Sequence, residues 1–285
     1  MEFEKVMKIT RREMIKSSLQ TLGAASLLPN LLAEEKNVYE VGAWLNGLGD
    51  FERAKKVGLD VIQIGFPLRP NGAENDFRSP EARAKYLDQS AKTRVRIEAF
   101  AMGEFNEYPF WAQDDTVEQV SACIEAMHAM RVKHVLISYF DRGNPKTDDQ
   151  WDEIIRRYKI LAPKAEDAGV ILTIEAPWNA EGHHRVVDAV NSPAVRVFYD
   201  PGNMVRLYGD TDGICDDIRK LKGLIKACHI KDNNIIGKGR IDYRKVLDAY
   251  REIGFFGPQI VEGSVVDELG WEESMRQNIA YIKSH

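Results

Sequence analysis

Hydrophobic residues are concentrated in eight short runs, separated by longer segments that mix apolar and polar residues. The run at 134–137 reads His-Val-Leu-Ile, and the run at 170–174 reads Val-Ile-Leu-Thr-Ile. Nearly continuous apolar runs of this length are typical of parallel strands that are buried on both faces. The eight predicted strands are 38–44, 60–66, 94–101, 133–140, 169–176, 195–200, 225–231 and 258–263.

The segments between these runs carry apolar residues at helical spacing. Three stripes are Val117, Val120, Ile124 and Met127; Trp151, Ile154, Ile155, Tyr158 and Leu161; and Val246, Leu247, Tyr250 and Ile253, which Gly254 ends. Pro163, inside the second stripe, predicts a kink or an early stop in that helix. The strand starts lie about 31 residues apart, which is the repeat of a barrel of ~250 residues. The pattern therefore predicts an α/β protein with a single (β/α)8 TIM barrel over residues 34–285.

Residues 1–33 follow another pattern and are predicted to be a cleavable leader. Arg11, Arg12 and Lys16 surround the start of a mildly apolar stretch, and Ala33 is a small residue suited to a cleavage point. This arrangement is typical of signal peptides, and the paired arginines are similar to a twin-arginine signal. We therefore expect a periplasmic or otherwise exported protein, or a cytoplasmic one if the leader is not functional. The alternative is an amphipathic N-terminal helix that packs on the domain.

The composition is that of a folded domain, with 44% hydrophobic and 29% charged residues and a mean hydropathy of −0.37. The net charge of −5 argues against a nucleic-acid partner, because phosphates require a basic surface. The apolar stretch of the leader is too short and too polar for a stable membrane anchor. The three cysteines are widely spaced and predict no disulfide framework. The sequence is compatible with a homo-oligomer.

Four polar residues end the last four apolar runs: Glu175, Asp200, His229 and Glu262. Because active sites of such barrels lie at the C-terminal ends of the strands, we expect these side chains to meet at one mouth. An unpaired buried carboxylate is costly, and three carboxylates with one imidazole suit a divalent ion such as Mn, Mg, Co or Zn. The alternative is a set of structural ion pairs with Lys226, Lys231 or Arg196.

Longer motifs carry a resemblance to a known family. They are GVILTIE at 169–175, VRVFYDPGN at 195–203, HIKD at 229–232 and GKGRIDY at 237–243. Together they resemble the xylose isomerase-like TIM barrels, and more narrowly the sugar phosphate isomerase/epimerase group, over nearly all of 38–282. The resemblance implies that the four strand-end residues bind one divalent metal, most often Mn. It also implies that Glu175 and Glu262 form the acid/base pair and that Glu181 binds substrate. Three positions depart from the epimerase pattern: Asn203 replaces a histidine, Lys231 stands nearest to a substrate-binding arginine, and Gln63 occupies a strand-two position that is often glutamate.

A carboxylate beside a metal-polarised carbonyl predicts enolisation of a keto-sugar. Proton return to the opposite face gives epimerisation, return to the neighbouring carbon gives isomerisation, and loss of a β-substituent gives elimination. We therefore predict a carbohydrate isomerase or epimerase that acts through an enediolate on a small-molecule sugar. The alternatives are a 3-keto-glycoside lyase or hydratase and a non-catalytic carbohydrate-binding barrel. Export favours a non-phosphorylated ketose or keto-sugar, because sugar phosphates are mainly intracellular.

Residues near the strand ends supply further candidates for substrate contacts. Asn203 and Lys231 follow strands six and seven, while Trp178 and His183 lie in the segment after strand five. An aromatic ring such as that of Trp178 could stack on a sugar face, as could Trp44 after strand one. The alternatives are core or lid packing for the tryptophans and an exposed histidine pair for His183 with His184.

Overall fold

Eight parallel strands close into a barrel in the computed structural model, which describes residues 39–285. Each strand pairs with the next one along the chain, and β1 also pairs with β8. The strands are β1 (Val41–Trp44), β2 (Val61–Gly65), β3 (Arg96–Met102), β4 (His134–Ser138), β5 (Ile171–Glu175), β6 (Val195–Tyr199), β7 (Ile225–Ile230) and β8 (Gln259–Val261). Each predicted run overlaps one of these strands, so the predicted single (β/α)8 TIM barrel is confirmed.

The predicted leader at 1–33 and the domain boundary at residue 34 lie outside the described residues. The signal peptide and the export that it implies therefore stay predictions. Among the helices of residues 39–285, none combines the length and the apolar character that crossing a bilayer requires.

Helices follow the strands around the barrel. Within residues 39–285 they are α1 (Asp50–Val57), α2 (Pro80–Thr93), α3 (Thr116–Met130), α4 (Asp148–Ala168), α5 (Ala180–Val190), α6 (Pro201–Tyr208), α7 (Thr211–Lys220), α8 (Tyr243–Glu252) and α9 (Gly270–Ser284). The expected early stop at Pro163 is wrong, because α4 continues to Ala168 and ends at Gly169. Proline leaves the carbonyl of residue 159 without its helical donor. Lys159 is exposed, so water can hydrate that carbonyl and the helix continues.

The barrel interior is lined by side chains at alternate strand positions, as the two-residue period of a strand requires. Seven of these residues form a small apolar cluster, separate from the larger core between strands and helices: Val61, Ala99, Ala101, Leu136, Phe198, Ala227 and Ile260. Gly42 on β1 leaves room in this layer, since a Cβ atom there would lie 2.6 Å from Ile260 Cδ1. The apolar layer fills the barrel below its C-terminal mouth, so side chains two residues further along each strand reach that mouth.

Asp217 on α7 forms hydrogen bonds with three segments around β6. Its buried carboxylate accepts hydrogen bonds from Tyr199 Oη at 2.9 Å, from Tyr208 Oη at 2.5 Å and from the backbone N–H of Ala180 at 2.7 Å. These donors belong to β6, α6 and the start of α5. One carboxylate therefore fixes three segments that surround the C-terminal end of β6.

We expect Asp217→Ala to lower the free energy of unfolding by about 2–4 kcal/mol, because it leaves buried donors without an acceptor. Urea denaturation of the full chain measures this change. The matched control is Asp216→Ala, which removes an exposed carboxylate paired with Arg219 at 2.8 Å and should cost under about 0.5 kcal/mol. Equal losses for the two variants would contradict the role given to Asp217.

Candidate functional site

The four strand-end residues occupy the next inward layer above the apolar cluster. His229 lies two residues after Ala227 on β7, and Glu262 lies two residues after Ile260, directly beyond β8. Asp200 follows Phe198 at the end of β6, and Glu175 is the last residue of β5. The same alternation that fills the barrel with apolar side chains thus points four polar side chains into its mouth.

Ligand atoms of the four side chains converge on one small volume. One oxygen from each carboxylate and one nitrogen of the imidazole all lie within 4.8 Å of one another. His229 Nδ1 stands 2.9 Å from Glu175 Oε1, 3.5 Å from Glu262 Oε2 and 3.7 Å from Asp200 Oδ2. The structure therefore brings together all four residues that the strand-end argument selected.

The imidazole of His229 is held in one orientation. Its Nε2 lies 2.7 Å from Oε1 of Gln63, a buried residue on β2, and its ring packs against Phe198. Nδ1, on the opposite side of the ring, faces the three carboxylates. Metal-binding histidines are oriented by this kind of hydrogen bond at the second ring nitrogen.

The close packing of three carboxylates has a strong electrostatic effect. Burial alone lowers the pKa of His229, but the charges of Glu175, Asp200 and Glu262 outweigh it and raise that pKa to about 10. Burial raises the pKa of Glu175, and the like charges of Asp200 and Glu262 add to this effect against the opposing influence of His229. Burial opposes ionisation of Asp200 as well, yet His229 and Lys231 lower its pKa to about 2. The cluster thus strongly attracts positive charge.

Lys231 supplies part of that charge. Its Nζ lies 2.8 Å from Asp200 Oδ2 and 2.7 Å from Glu262 Oε2. Burial disfavours the charged amine, but the two carboxylates raise the pKa of Lys231 above its usual range. Asn203 neighbours the cluster on the other side and donates from Nδ2 to Glu175 Oε1 at 3.2 Å. Asn203 and Lys231 therefore both lie beside the cluster, as the sequence predicted.

The donor set fits a divalent ion. Three carboxylates and one imidazole nitrogen that faces them are ligands suited to Mg, Mn, Co or Zn. Asp200 Oδ2 is buried and already has the cation Lys231 Nζ at 2.8 Å. Buried carboxylates require such compensating positive charge, and a divalent ion provides it for all three carboxylates at once. Glu175, Asp200, His229 and Glu262 could therefore hold a metal ion.

A cavity of about 810 Å³ opens above the cluster. Its lining comprises Trp44, Gly103, Asn106, Leu136, Ser138, Phe140, Asp141, Glu175, Pro177, Gly202, Asn203, Arg206, Leu207, Lys231, Arg240 and Glu262. Glu262 has a side chain that is 34% exposed, against 1% for Asp200, so it is the candidate ligand most open to the cavity. The cavity is large enough for a sugar.

Three residues expected to bind substrate lie outside this lining. Glu181 is exposed on α5 and pairs with Lys220 at 3.4 Å. His183 is buried on the same helix, with Nδ1 3.1 Å from the carbonyl of Asn179. Trp178 is buried and donates from Nε1 to Asn144 Oδ1 at 2.9 Å. Glu181 therefore belongs to a surface ion pair. His183 and Trp178 are buried and pack within and next to α5.

Two arginines, Arg206 and Arg240, are among the lining residues that were not predicted from the sequence. Arg206 lies on α6 one turn beyond Asn203, and this helical spacing could have indicated it. Arg240 lies in the segment between β7 and α8, where the sequence has no periodic pattern. Gln63 was noted as a departure from the family pattern on strand two, but its contact with His229 is visible only in the closed barrel.

Comparison with known proteins places the chain in a family. Residues 51–285 match the xylose isomerase-like TIM barrel family, and the chain belongs to it. No curated protein matches the chain. The resemblance found in the sequence is therefore confirmed for the family.

Solved structures share the fold at low sequence identity. The apo crystal structure of 3-keto-D-glucoside 4-epimerase YcjR from E. coli has a TM-score of 0.70 at 14% identity, covering 87% of this chain and 100% of that one. D-psicose 3-epimerase, crystallised in the presence of D-fructose, has a TM-score of 0.71 at 15% identity, with coverage of 85% and 97%. A xylose isomerase-like TIM barrel protein from Mycobacterium smegmatis, in complex with magnesium, has a TM-score of 0.67 at 15% identity, with coverage of 86% and 96%.

We expect Gln63→Leu to weaken Mn²⁺ binding about 10–100-fold, because His229 loses the acceptor that orients its ring. Equilibrium dialysis of the full chain with Mn²⁺ measures the dissociation constant. The matched control is Gln63→Glu, which keeps an acceptor oxygen and should bind Mn²⁺ at least as tightly as the parent protein. An unchanged dissociation constant in Gln63→Leu would remove this contact from the metal site.

Proposed function

We propose that the protein is a divalent-metal-dependent sugar isomerase or epimerase that acts on a keto-sugar. The observation that carries the proposal is the convergence of three carboxylates and one imidazole nitrogen within 4.8 Å at the mouth of the barrel. These ligands lie at the floor of a cavity of sugar size. Similarity of fold to 3-keto-D-glucoside 4-epimerase and D-psicose 3-epimerase supports the same class of substrate.

Glu175, Asp200, His229 and Glu262 would hold the ion, with Mn²⁺ as our expectation. The ion would supply a Lewis acid that polarises a bound carbonyl and lowers the barrier to removal of the neighbouring proton. Asn203 and Lys231 line the cavity beside the cluster, and we propose that they contact substrate oxygens. Glu181, His183 and Trp178 do not line the cavity and have no part in this proposal.

We propose that two carboxylates move the proton. Glu175 and Glu262 enter the cluster from β5 and from the end of β8, and both line the cavity. One takes the proton next to the substrate carbonyl and leaves an enediolate. A proton given back by the other carboxylate on the opposite face inverts the carbon. Return to the adjacent carbon moves the carbonyl instead, which is isomerisation.

An elimination reaction is the second candidate function. It begins with the same proton removal, after which the enolate expels a substituent on the β-carbon. The cavity volume of about 810 Å³ lies toward the upper end of the range for small-molecule sites, so it has room for the second group of a glycoside. Similarity to an epimerase of a 3-keto-glucoside favours such substrates. A 3-keto-glycoside lyase or hydratase therefore remains the alternative.

Localisation belongs to the same proposal. The twin-arginine-like pattern at 1–33 favours an exported, periplasmic enzyme, and an exported enzyme would meet non-phosphorylated sugars. A fusion of residues 1–40 to a reporter tests this part. Replacement of both Arg11 and Arg12 by lysine is the control that should abolish export.

Metal analysis tests the centre itself. We expect about one divalent ion per chain in protein purified without chelator or reloaded with Mn²⁺, because one cluster supplies four ligands. Asp200→Asn combined with His229→Gln should abolish that stoichiometric binding, as measured by elemental analysis after dialysis. The control pair, Asp216→Asn with His128→Gln, changes two exposed residues and leaves the four ligands in place. Equal metal content in the two double variants would contradict the assignment.

Solvent exchange tests the chemistry. In deuterated buffer with Mn²⁺, we expect deuterium to enter the carbon next to the carbonyl of a converted keto-sugar. Glu262→Gln should reduce this exchange by at least about 10²-fold, because an amide cannot accept the proton. The matched control is Glu268→Gln, which removes an exposed carboxylate outside the cavity and should leave exchange unchanged.

The same assay separates the two candidate functions. Exchange with recovery of an epimer or isomer supports the proposed reaction. Release of the substituent from a 3-keto-glycoside, without an epimer or isomer, supports the lyase. Sugar binding without exchange or release would indicate a carbohydrate-binding barrel and would overturn both enzymatic functions.

A further inference from the structure

Two arginines stand at the mouth of the cavity above the carboxylate cluster. Arg206 lies on α6, one turn beyond Gly202 and Asn203, and these three residues form one wall. Arg240 belongs to the segment between β7 and α8. Both side chains are exposed and line the same cavity as Glu175 and Glu262. Arginine is the residue best suited to bind carboxylate or phosphate oxygens, because its planar fork matches their geometry.

Neither guanidinium is neutralised by the part of the chain that the structure describes. Within residues 39–285, no carboxylate forms an ion pair with Arg206 or Arg240, and neither side chain donates a hydrogen bond to another described residue. Two carboxylates close to Arg240 in sequence are otherwise engaged. Asp242 caps α8 by accepting from the backbone N–H of Lys245 at 3.4 Å. Asp232 accepts backbone N–H bonds from Asn233 at 2.7 Å, from Arg240 at 2.9 Å and from Ile241 at 2.9 Å.

The segment that carries Arg240 has a fixed conformation. The Asp232 carboxylate fills the place that a side chain at residue 239 would occupy, since a Cβ on Gly239 would lie 2.1 Å from Asp232 Cγ. Gly237 adopts a left-handed conformation with φ of 84°, which favours glycine. The GKGRID motif therefore forms a turn held by Asp232. This turn places residue 240 at the mouth of the cavity.

Arg206 is also held by its surroundings. The Asp200 carboxylate caps the N-terminus of α6 by accepting from the N–H of Asn203 at 3.2 Å. At the other end of the helix, Tyr208 Oη donates to Asp217. A helix of eight residues fixed at both ends leaves little freedom for the backbone of Arg206. Both arginines thus belong to rigid segments, as preorganised binding groups should.

We infer that the substrate is an anionic keto-sugar whose carboxylate or phosphate oxygens are bound by Arg206 and Arg240. This inference rests on the proposed function, because it takes the same cavity as the site of sugar binding. The reacting end of the sugar lies over the carboxylate cluster. The anionic end lies at the mouth.

The charges that face the cavity agree with a negatively charged ligand. Four carboxylates (Asp141, Glu175, Asp200 and Glu262) and three cations (Lys231, Arg206 and Arg240) stand along its wall and floor. These seven side chains together leave one negative charge, and a divalent ion bound with His229 neutral changes this to one positive charge. A sugar that bears a single carboxylate would neutralise the loaded site. A sugar acid also satisfies the expectation of a non-phosphorylated substrate.

Substrate comparison tests the inference. We would assay the Mn²⁺-loaded full chain with a neutral ketohexose, a ketohexuronate and a ketohexose phosphate. The expected result is a kcat/KM for at least one anionic sugar at least about tenfold above that for the neutral sugar, because charge-assisted hydrogen bonds to arginine are strong. The ketohexuronate and phosphate arms distinguish the two sources of the anion. A neutral sugar that equals or exceeds both anionic ones overturns the inference.

Variants of the two arginines locate the effect. Arg206→Gln and Arg240→Gln should each reduce the ratio of kcat/KM for the anionic sugar to that for the neutral sugar by about tenfold, chiefly through KM. The matched control is Arg83→Gln on α2, which lies outside the cavity lining and should leave the ratio unchanged. An unchanged ratio in both cavity variants contradicts the assignment.

Ligand binding separates this inference from the proposed function. Calorimetric titration with D-gluconate, a carboxylated sugar without a ketone, reports the anion site in the absence of turnover. We expect binding that weakens about tenfold in Arg206→Gln and Arg240→Gln, and that weakens as salt screens the charges. If no sugar supports proton exchange but D-gluconate binds through the arginines, the proposed reaction fails and the anion site stands. If exchange occurs while D-gluconate binding is absent or indifferent to both substitutions, the anion site fails and the reaction stands.

Discussion

Mutual repulsion among three carboxylates at the mouth of the barrel is the constraint on which the rest of the site depends. Glu175, Asp200 and Glu262 each offer an oxygen within 4.8 Å of the others and of one imidazole nitrogen. In the low-polarity interior, such a group is stable only when positive charge lies next to it. The protein supplies some of this charge through His229 and Lys231. A divalent ion would supply the rest of this positive charge. The need for positive charge next to the carboxylates explains why all four side chains point to one small volume.

The barrel solves this problem with elementary strand geometry. Because side chains alternate between the two faces of a strand, an apolar layer at the bottom of the barrel fixes a second layer above it. Ala227 and Ile260 belong to the lower layer, and His229 and Glu262 follow two residues later. Gln63 follows Val61 in the same way on β2, which brings its amide oxygen to the far side of the imidazole. The alternation of side chains along the strands therefore both packs the core and positions the site.

The sequence was sufficient to predict the eight strands, the closed barrel and the four polar strand ends, because nearly continuous apolar runs, their spacing of about 31 residues and the polar residues near their ends are all local patterns. It did not predict where Glu181 and His183 lie: Glu181 was expected at the cavity from the family resemblance and His183 from its place after strand five, and the lining includes neither. Which residues after β5 face the cavity depends on tertiary packing, and Trp178, just before α5, is buried and donates to Asn144. The position of Arg240 depends on a turn held by long-range hydrogen bonds, which no local pattern reveals.

The helix after β6 connects the two ends of the cavity. Asp200 both offers an oxygen to the cluster and caps α6, so the position of that helix depends on the orientation of a candidate metal ligand. Asn203 contacts Glu175 from the first turn, and Arg206 reaches the mouth one turn later. A displacement of Asp200 would therefore move the group at the mouth as well as the ligand at the floor. Because one short helix joins them, the carboxylate cluster at the floor and Arg206 at the mouth of the cavity are mechanically linked through eight residues.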